Sequence, residues 1–291
     1  MANRLFAIVT DSGGDMPKAY YEDNKIEVVS LGFTMDNVNY EGAGGEQITE
    51  KDFYEKLRNG SMPTTYQVTS EQAREHIEPL LKEGNDVLVL TFSSGLSGTS
   101  GSFTVACRDL ATEYPERKIR VVDSLCASMG QGLLLDYVVR KADEGASLDD
   151  TAEYAEELKL HICHHVTVDN LFHLKRGGRV SGATAIIGSV LKIKPILHVD
   201  NEGRLKSIGK AMGRKKALSK LLEMMIETAD ITDEDPIFIS HGDCIEDVEY
   251  LKGILKEKWP NNPVYVHYIG SVIGTHAGCG TVALFHKGSH R

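Results

Sequence analysis

The sequence predicts an α/β protein of two domains, the first of which is built on a parallel sheet. Strand-like and helix-like segments alternate over the first half of the chain. Beyond about residue 160, strand-like segments follow one another without regular helical crossovers. A length of 291 residues suits two domains of roughly 150 residues each. We therefore predict a parallel-sheet α/β domain over residues 1–160 and an α+β domain over residues 161–291.

In the first domain, the predicted strands are residues 5–10, 26–33, 87–92 and 119–123. Residues 87–92 are apolar or β-branched without polar alternation, which is typical of a strand buried on both faces. The predicted helices are residues 49–58, 70–83, 102–113 and 126–143, and one more helix begins within residues 146–150. Thr49 is the expected N-cap of the first of these helices. Strands connected through helices favour parallel pairing with right-handed crossovers.

In the second domain, residues 161–169, 193–198, 237–240 and 264–269 are the predicted strands. Helices are predicted at residues 215–229 and 245–258. Strands that follow one another without regular helical crossovers indicate an α+β domain.

The composition indicates which partners and which cellular compartment to expect. The formal net charge of −10 disfavours binding to a phosphate backbone, so no nucleic acid partner is expected. The five cysteines are widely spaced and form no C-x-x-C pair, which is typical of a reducing compartment. No stretch reaches the roughly 18 apolar residues of a membrane span. We therefore expect a soluble, cytoplasmic protein without a cofactor.

The loop at residues 93–100 is the strongest candidate for an anion site. It follows the buried strand, precedes a helix, and combines four serines and a threonine with Gly95 and Gly98. Backbone N–H groups and a helix N-terminus at this edge of a parallel sheet suit a carboxylate or a phosphate. A nucleotide loop is disfavoured, because no lysine follows Gly98 and no G-x-G-x-x-G pattern is present. A simple helix-capping connection remains the alternative.

For two other polar segments, helix capping is the simpler interpretation. Pro63 keeps its neighbours extended, and the hydroxyl of Thr65 either caps the next helix or faces a ligand. Asp11 and Asp15 follow the first strand, but aspartyl-phosphate enzymes need two carboxylates separated by one residue, whereas these are four apart. An alternative function still uses Asp11 with the Ser97 loop, in a metal-dependent enzyme acting on a small phosphorylated or carboxylated metabolite.

The remaining candidates are a basic turn and a histidine-rich strand. Residues 175–181 place two arginines around a double glycine, a pattern suited to an anion or to a solvated turn. His161, Cys163 and His165 share one face of a predicted strand. Side chains along a single strand rarely close a tetrahedral metal site without a partner element, so no metal is expected. Metal or redox sensing through Cys163 is kept as a third hypothesis.

Seven short motifs occur in order along the chain: Asp11-Ser12, Pro63-Thr64-Thr65-x-Gln67, residues 93–99 (SSGLSGT), Asp123-Ser124, residues 174–181 (LKRGGRVS), residues 192–197 (KIKPIL) and residues 273–278 (IGTHAG). Together they resemble the DegV family of bacterial fatty-acid-binding proteins, which includes the carrier subunit of fatty acid kinase. The resemblance extends from about residue 5 to residue 285.

The resemblance implies a Rossmann-like N-terminal domain and a fatty acid tunnel between the domains. It assigns the carboxylate contacts to Thr65 and Ser97. The polar end of the site is expected to be supported by Ser93, Ser94, Arg176 and His276.

The resemblance also implies a carrier without catalytic residues, acting in lipid transport or fatty acid metabolism. Its long-chain, palmitate-like ligand is expected to be presented to an ATP-dependent fatty acid kinase partner, which performs the chemistry. Two positions depart from the family pattern: Tyr66 replaces a small serine, and Val68 replaces a common proline. Tyr66 adjoins the head-group contact and is expected to influence which chains fit.

Overall fold

The computed structural model describes residues 4–41, 47–169, 171–180 and 192–291. The strands of the first half are β1 (Ala7–Asp11), β2 (Ile26–Val29), β3 (Gly32–Met35), β4 (Val38–Glu41), β5 (Thr64–Tyr66), β6 (Val87–Thr91) and β7 (Ile119–Asp123). A parallel sheet has the order β2-β1-β6-β7. The predicted parallel sheet is therefore confirmed, with the fully buried β6 as one of its two central strands.

The helices of this half are α1 (Lys18–Asp23), α2 (Glu50–Arg58), α3 (Ser70–Lys82), α4 (Thr99–Glu113), α5 (Met129–Asp143) and α6 (Leu148–Leu158). Thr49 caps α2 as predicted, because its hydroxyl accepts a hydrogen bond from the backbone N–H of Asp52. Thr69 and Gln72 form a capping box at the start of α3. These caps bond backbone N–H groups that have no partner within the helix.

The prediction of one strand over residues 26–33 is wrong. The chain leaves the parallel sheet after β2, where the backbone N–H of Leu31 bonds the hydroxyl of Ser12 at 3.0 Å. It then forms β3, the centre of a small antiparallel sheet with the order β4-β3-β5. The segment around Thr65, for which no strand is predicted, is strand β5, with Thr65 paired to Phe33.

The second half begins with β8 (Ile162–Thr167), α7 (Phe172–Arg176), β9 (Ile193–Val199), β10 (Leu205–Met212), α8 (Arg214–Thr228) and β11 (Ile237–His241), and continues with α9 (Ile245–Lys258), β12 (Val264–Tyr268), α10 (Ser271–Ala277) and β13 (Val282–Lys287). The six strands form one sheet with the order β10-β9-β8-β13-β11-β12. The pair β11–β12 is parallel and the other pairs are antiparallel. Strands β10 and β13 and helices α7 and α10 were not predicted.

Helix α5 packs between the two large sheets. Eleven of its residues are buried, as expected for a helix that is apolar around most of its circumference. It contacts β8, β11 and β13 of the six-stranded sheet. One apolar core accordingly joins Ile8 and Leu90 of the parallel sheet to Phe285 of β13. The strands of the parallel sheet end at Asp123, and those of the six-stranded sheet begin at Ile162.

Among the described residues, no helix is both long and apolar enough to cross a bilayer. Ser181, the last residue of the basic motif, lies outside the described residues.

Candidate functional site

A cavity of about 360 Å³ lies between the carboxyl ends of the parallel strands, helix α10 and the six-stranded sheet. Its volume falls within the roughly 300–1,000 Å³ that is typical of small-molecule sites. The apolar lining residues are Leu31, Phe92, Leu96, Ala127, Val166, Leu174, Val199, Leu205, Ile269, Val272, Ile273, Ala277, Ala283 and Phe285.

The most exposed lining residues are polar or aromatic, and most of the buried ones are apolar, apart from Ser128, His164 and Thr281. Val166, Ala283 and Phe285, contributed by β8 and β13, are buried. Thr65 and Ser97 are partly exposed, and Gln67 and Arg179 are exposed. The cavity thus has an apolar interior and a polar rim. Such a gradient suits a ligand with a long apolar body and one polar end.

Thr65 and His276 are brought together across 211 residues of sequence. The hydroxyl oxygen of Thr65 lies 2.8 Å from Nε2 of His276. Strand β5 supplies the threonine and helix α10 the histidine. The resemblance assigned both residues to the polar end of the site, and both line the cavity.

His276 is a neutral hydrogen-bonding group at physiological pH. Burial, together with the nearby positive charges of Arg179 and Arg176, lowers its pKa to about 4. Its Nδ1 atom is buried without a hydrogen-bond partner among the described residues. A buried N–H without an acceptor is costly, so we place the ring proton on Nε2. His276 then donates to Thr65, whose own hydrogen is free to point to a ligand.

Ser97 lies on the loop between β6 and α4, where the sequence predicted an anion site. Its hydroxyl lies 3.0 Å from the hydroxyl of Thr99 and accepts from the backbone N–H of Thr99 at 3.3 Å. Gly98 is the N-cap residue of α4. The Ser97 hydroxyl therefore lies beside the positive end of the α4 dipole, at the cavity wall.

Ser93 and Ser94 lie outside the cavity lining. Ser93 is buried, and its hydroxyl donates to the carbonyl of Gly203 at 2.8 Å. Ser94 is exposed, and its backbone N–H bonds the carboxylate of Asp123 at 3.1 Å. Their contacts thus differ from the expected support of the polar end. They fix the shape of the loop that carries Ser97.

The two arginines of the basic turn have different contacts from those expected. Arg176, the expected supporting residue, donates to the carbonyl of Pro63 at 2.7 Å and is absent from the cavity lining. It therefore braces the segment that leads into β5. Arg179 lines the cavity instead, and bonds the carbonyls of Leu96 and Gly177. The resemblance assigns a supporting role to Arg176 and none to Arg179.

Tyr66 packs away from the Thr65 hydroxyl over the neighbouring strand. Its ring lies so close to Gly32 that a Cβ there would be 2.1 Å from the ring carbons. Its hydroxyl donates to the carbonyl of Tyr40 at 3.1 Å. The bulky side chain thus covers β3 and contributes to the rim of the cavity.

Asp11 is a structural residue of the first turn. It is fully buried, and its carboxylate accepts bonds from the backbone N–H groups of Phe92 and Gly13 and from Gln131. Burial raises its pKa to about 6. It is absent from the cavity lining, and its carboxylate is bonded to the backbone directly before the Ser97 loop rather than presented to the cavity as an enzymatic acid or base would require.

Ser128 and His164 are polar lining residues that the sequence did not single out for this site. Ser128 donates to the carboxylate of Asp15 at 2.6 Å, and its hydroxyl lies 3.0 Å from that of Ser240. Nε2 of His164 accepts from the backbone N–H of Ala127 at 3.1 Å. Both are satisfied by protein partners. No sequence signal indicated them, because their contacts join segments far apart in the chain.

Three comparisons place the chain among known proteins. The model of a family described as "Uncharacterised protein, DegV family" matches residues 5–287. A DegV domain-containing protein of Clostridium perfringens is 44% identical over 285 residues, which cover 98% of each chain. A second relative, from Lactococcus lactis, is 35% identical and covers 96% of each chain.

Solved structures share the fold. One described as showing fatty acid binding of a DegV family protein from Thermus thermophilus is 31% identical, with a TM-score of 0.87 over 97% of this chain and 99% of that one. A fatty acid binding DegV family protein from Streptococcus agalactiae is 30% identical, with a TM-score of 0.85 over 98% and 99%. The chain belongs to the DegV family.

Proposed function

We propose that this protein binds a long-chain, palmitate-like fatty acid in the cavity, with its carboxylate at the polar rim. The observation that carries the proposal is the apolar interior bounded by Thr65, Ser97 and Arg179 at the exposed end. Two relatives of the same fold, at 31% and 30% identity, are described as fatty-acid-binding proteins, which supports the proposal.

The tail supplies most of the affinity. Burial of about 14 methylenes at about 0.8 kcal/mol each contributes on the order of 11 kcal/mol, from which association costs of several kcal/mol are subtracted. Hydrogen bonds to a charged acceptor add about 1.5–3 kcal/mol each. The hydroxyls therefore orient the head group and adjust the affinity, while the apolar wall retains the chain.

Each polar group at the rim has a distinct task in this proposal. Thr65 donates its hydrogen to the carboxylate because His276 already donates to the threonine oxygen. Ser97 offers a second hydroxyl beside the α4 N-terminus. Arg179 supplies the positive charge that offsets the carboxylate.

The test is a titration of delipidated protein with palmitate, comparing Thr65→Val with Thr64→Val. Valine keeps the shape of threonine and removes one hydroxyl. Thr64 is an exposed neighbour on the opposite face of β5, so its substitution is the matched control. Loss of one charge-assisted hydrogen bond of about 1.5–3 kcal/mol predicts a dissociation constant raised roughly 10- to 100-fold in Thr65→Val and unchanged in Thr64→Val.

Lipid extraction of the protein as purified provides an independent check. We expect acyl chains in the extract, identified by mass spectrometry. Wild-type protein that yields no lipid and ignores added palmitate would remove the basis of the proposal. Equal palmitate affinity in Thr65→Val and the wild type would instead show that the head group lies elsewhere.

We further propose that the protein acts as a non-catalytic carrier for an ATP-dependent fatty acid kinase, in lipid transport or fatty acid metabolism. A carboxylate at the exposed rim is accessible to a second protein, while the tail stays covered. The test adds palmitate-loaded protein and ATP to an extract of its source cells and traps acyl phosphate with hydroxylamine. Hydroxamate formation that does not depend on the loaded protein would rule out the carrier role.

The alternative, a metal-dependent enzyme built on Asp11, has no supporting contact among the described residues. Asp11 is fully buried in its own turn. The carrier is therefore the function that the geometry supports best.

A further inference from the structure

A second group of chemically versatile side chains lies on the far side of β8 from the fatty acid cavity. Cys163 and His165 are on this strand, and His286 is on β13, directly paired with Cys163. Each offers a sulfur or nitrogen atom, and these atoms all lie within 4.8 Å of one another. Nε2 of His165 is 2.9 Å from Nε2 of His286. All three residues are buried.

We propose that Cys163, His165 and His286 form a zinc site. The sequence disfavoured a metal here because one strand alone cannot surround an ion. The antiparallel neighbour β13 supplies the missing ligand, since its pairing with β8 places His286 opposite Cys163. His161, which the sequence placed on the same face, lies in the turn before β8 and bonds the carbonyl of Gly288 instead.

The two imidazole nitrogens are spaced nearly as in a zinc site, whereas the sulfur, which lies within 4.8 Å of them, must approach them by up to about 1.2 Å to reach the zinc-site separations. Zinc–nitrogen distances of about 2.0–2.1 Å and a zinc–sulfur distance of about 2.3 Å give tetrahedral ligand separations of about 3.3–3.6 Å. The two Nε2 atoms at 2.9 Å need only move apart by a few tenths of an ångström. A thiolate with two imidazoles is a ligand set that zinc favours over magnesium or calcium.

The surroundings orient two of the ligands. Nδ1 of His286 lies 2.8 Å from the carbonyl of Lys287; a carbonyl only accepts, so this nitrogen carries the proton and Nε2 keeps its lone pair. A backbone partner of this kind is typical of metal-binding histidines. The Cys163 thiol donates to the carbonyl of His290 at 3.1 Å. Binding of zinc as the thiolate complex releases that proton to solvent. Since Nε2 of His286 is the acceptor, Nε2 of His165 carries the proton of the 2.9 Å hydrogen bond in the metal-free protein. Zinc binding moves this proton to Nδ1 of His165, which has no hydrogen-bond partner among the described residues.

Helix α8 packs against the cluster through Thr228. The Thr228 hydroxyl lies 3.4 Å from both Nε2 atoms and donates its own hydrogen to the carbonyl of Met224 at 2.9 Å. Its oxygen lone pairs therefore face the cluster. A cavity of about 650 Å³ on this side is lined by Cys163, His165 and Thr228 and provides the entry path.

The test uses full-length protein freed of metal by a chelator and titrated with Zn²⁺, and separately with Co²⁺, whose thiolate absorption reports a sulfur ligand. We expect one equivalent of zinc and a cobalt–thiolate band. Cys163→Ser should abolish the cobalt–thiolate band. Both Cys163→Ser and His286→Gln should weaken zinc binding at least tenfold. Cys107→Ser is the control, since Cys107 is a buried cysteine of α4 in another core.

Two outcomes would overturn the site. In the first, the wild-type protein takes up no zinc; in the second, Cys163→Ser and His286→Gln both still bind one equivalent of zinc with wild-type affinity. The wild-type cobalt spectrum decides the question even where a variant fails to fold. Thr65→Val should bind zinc as the wild type does. A failed zinc experiment therefore leaves the fatty acid proposal untouched, and the reverse also holds.

Discussion

At the scale of single residues, the candidate head-group site depends on a close approach that only glycine permits. Gly177 lies against the ring of His276, and a Cβ at this position would be 2.1 Å from Nδ1. The backbone of Gly177 is right-handed, with φ of −77°, so the constraint is the contact rather than the conformation. The missing side chain is what lets His276 reach Thr65.

Gly177→Ala is therefore expected to displace His276 from Thr65 without unfolding the protein. The conformation suits alanine, so the cost falls on the contact with the imidazole. Without the Nε2 donor, Thr65 loses its fixed orientation, and we expect palmitate affinity to fall about tenfold, the equivalent of one hydrogen bond of about 1–1.5 kcal/mol. Titration of delipidated protein measures the change.

Gly101→Ala is the matched control, because a Cβ at Gly101 of α4 would meet nothing within 4 Å. It should leave the affinity unchanged. Unaltered palmitate binding in Gly177→Ala, at wild-type thermal stability, would show that the His276–Thr65 pair plays no part in head-group binding.

At the scale of elements, the sequence predicts best where the signal is local. The apolar run of β6 and the cap at Thr49 both identified elements that the structure confirms. The Ser97 loop was expected at the carboxyl end of β6, and it lines the cavity. Each of these depends on neighbouring residues and on the general geometry of parallel sheets.

Elements that depend on distant pairing could not be predicted. Strand β5 is three residues long and exists through its pairing with β3. Strand β13 places His286 beside Cys163, and no local pattern reveals that neighbour. The presence of Arg179 rather than Arg176 in the cavity lining has the same origin, since it depends on the course of the turn after α7.

At the scale of the whole molecule, buried polar groups join the two large sheets beside the cavity. Asp15, after the first strand, accepts from the Ser128 hydroxyl at 2.6 Å and from the backbone N–H of Gly270. Ser128 in turn meets Ser240 of β11 at 3.0 Å. One carboxyl group thus connects the parallel-sheet half to the six-stranded sheet and to the start of α10.

Burial makes this carboxyl group pH-sensitive. Removal from water raises the pKa of Asp15 to about 7, against 3.8 in an exposed aspartate. The folded protein therefore binds the proton more tightly than the unfolded chain does. Its stabilising contribution is complete below about pH 4 and is lost as the pH rises to about 7. The slope from one such group is at most about 1.4 kcal/mol per pH unit.

Asp15→Asn should remove this slope, because the amide imitates the protonated acid: its oxygen can accept from Gly270 and its nitrogen can donate to Ser128. The variant and the wild type should have similar free energies of unfolding near pH 4, and the variant should become progressively more stable than the wild type up to pH 7. Urea unfolding at fixed pH values between 4 and 8 measures the difference.

The sign of the effect separates Asp15 from ordinary surface carboxylates. Asp36 is exposed and bonded to Lys56, which lowers its pKa, so its contribution is present at neutral pH and is lost on acidification. Asp36→Asn should therefore keep the wild-type slope between pH 5 and 7, whereas Asp15→Asn should not. If Asp15→Asn is destabilised equally at every pH, Asp15 is ionised in the folded protein throughout, and the connection between the two halves is a charged hydrogen-bond network.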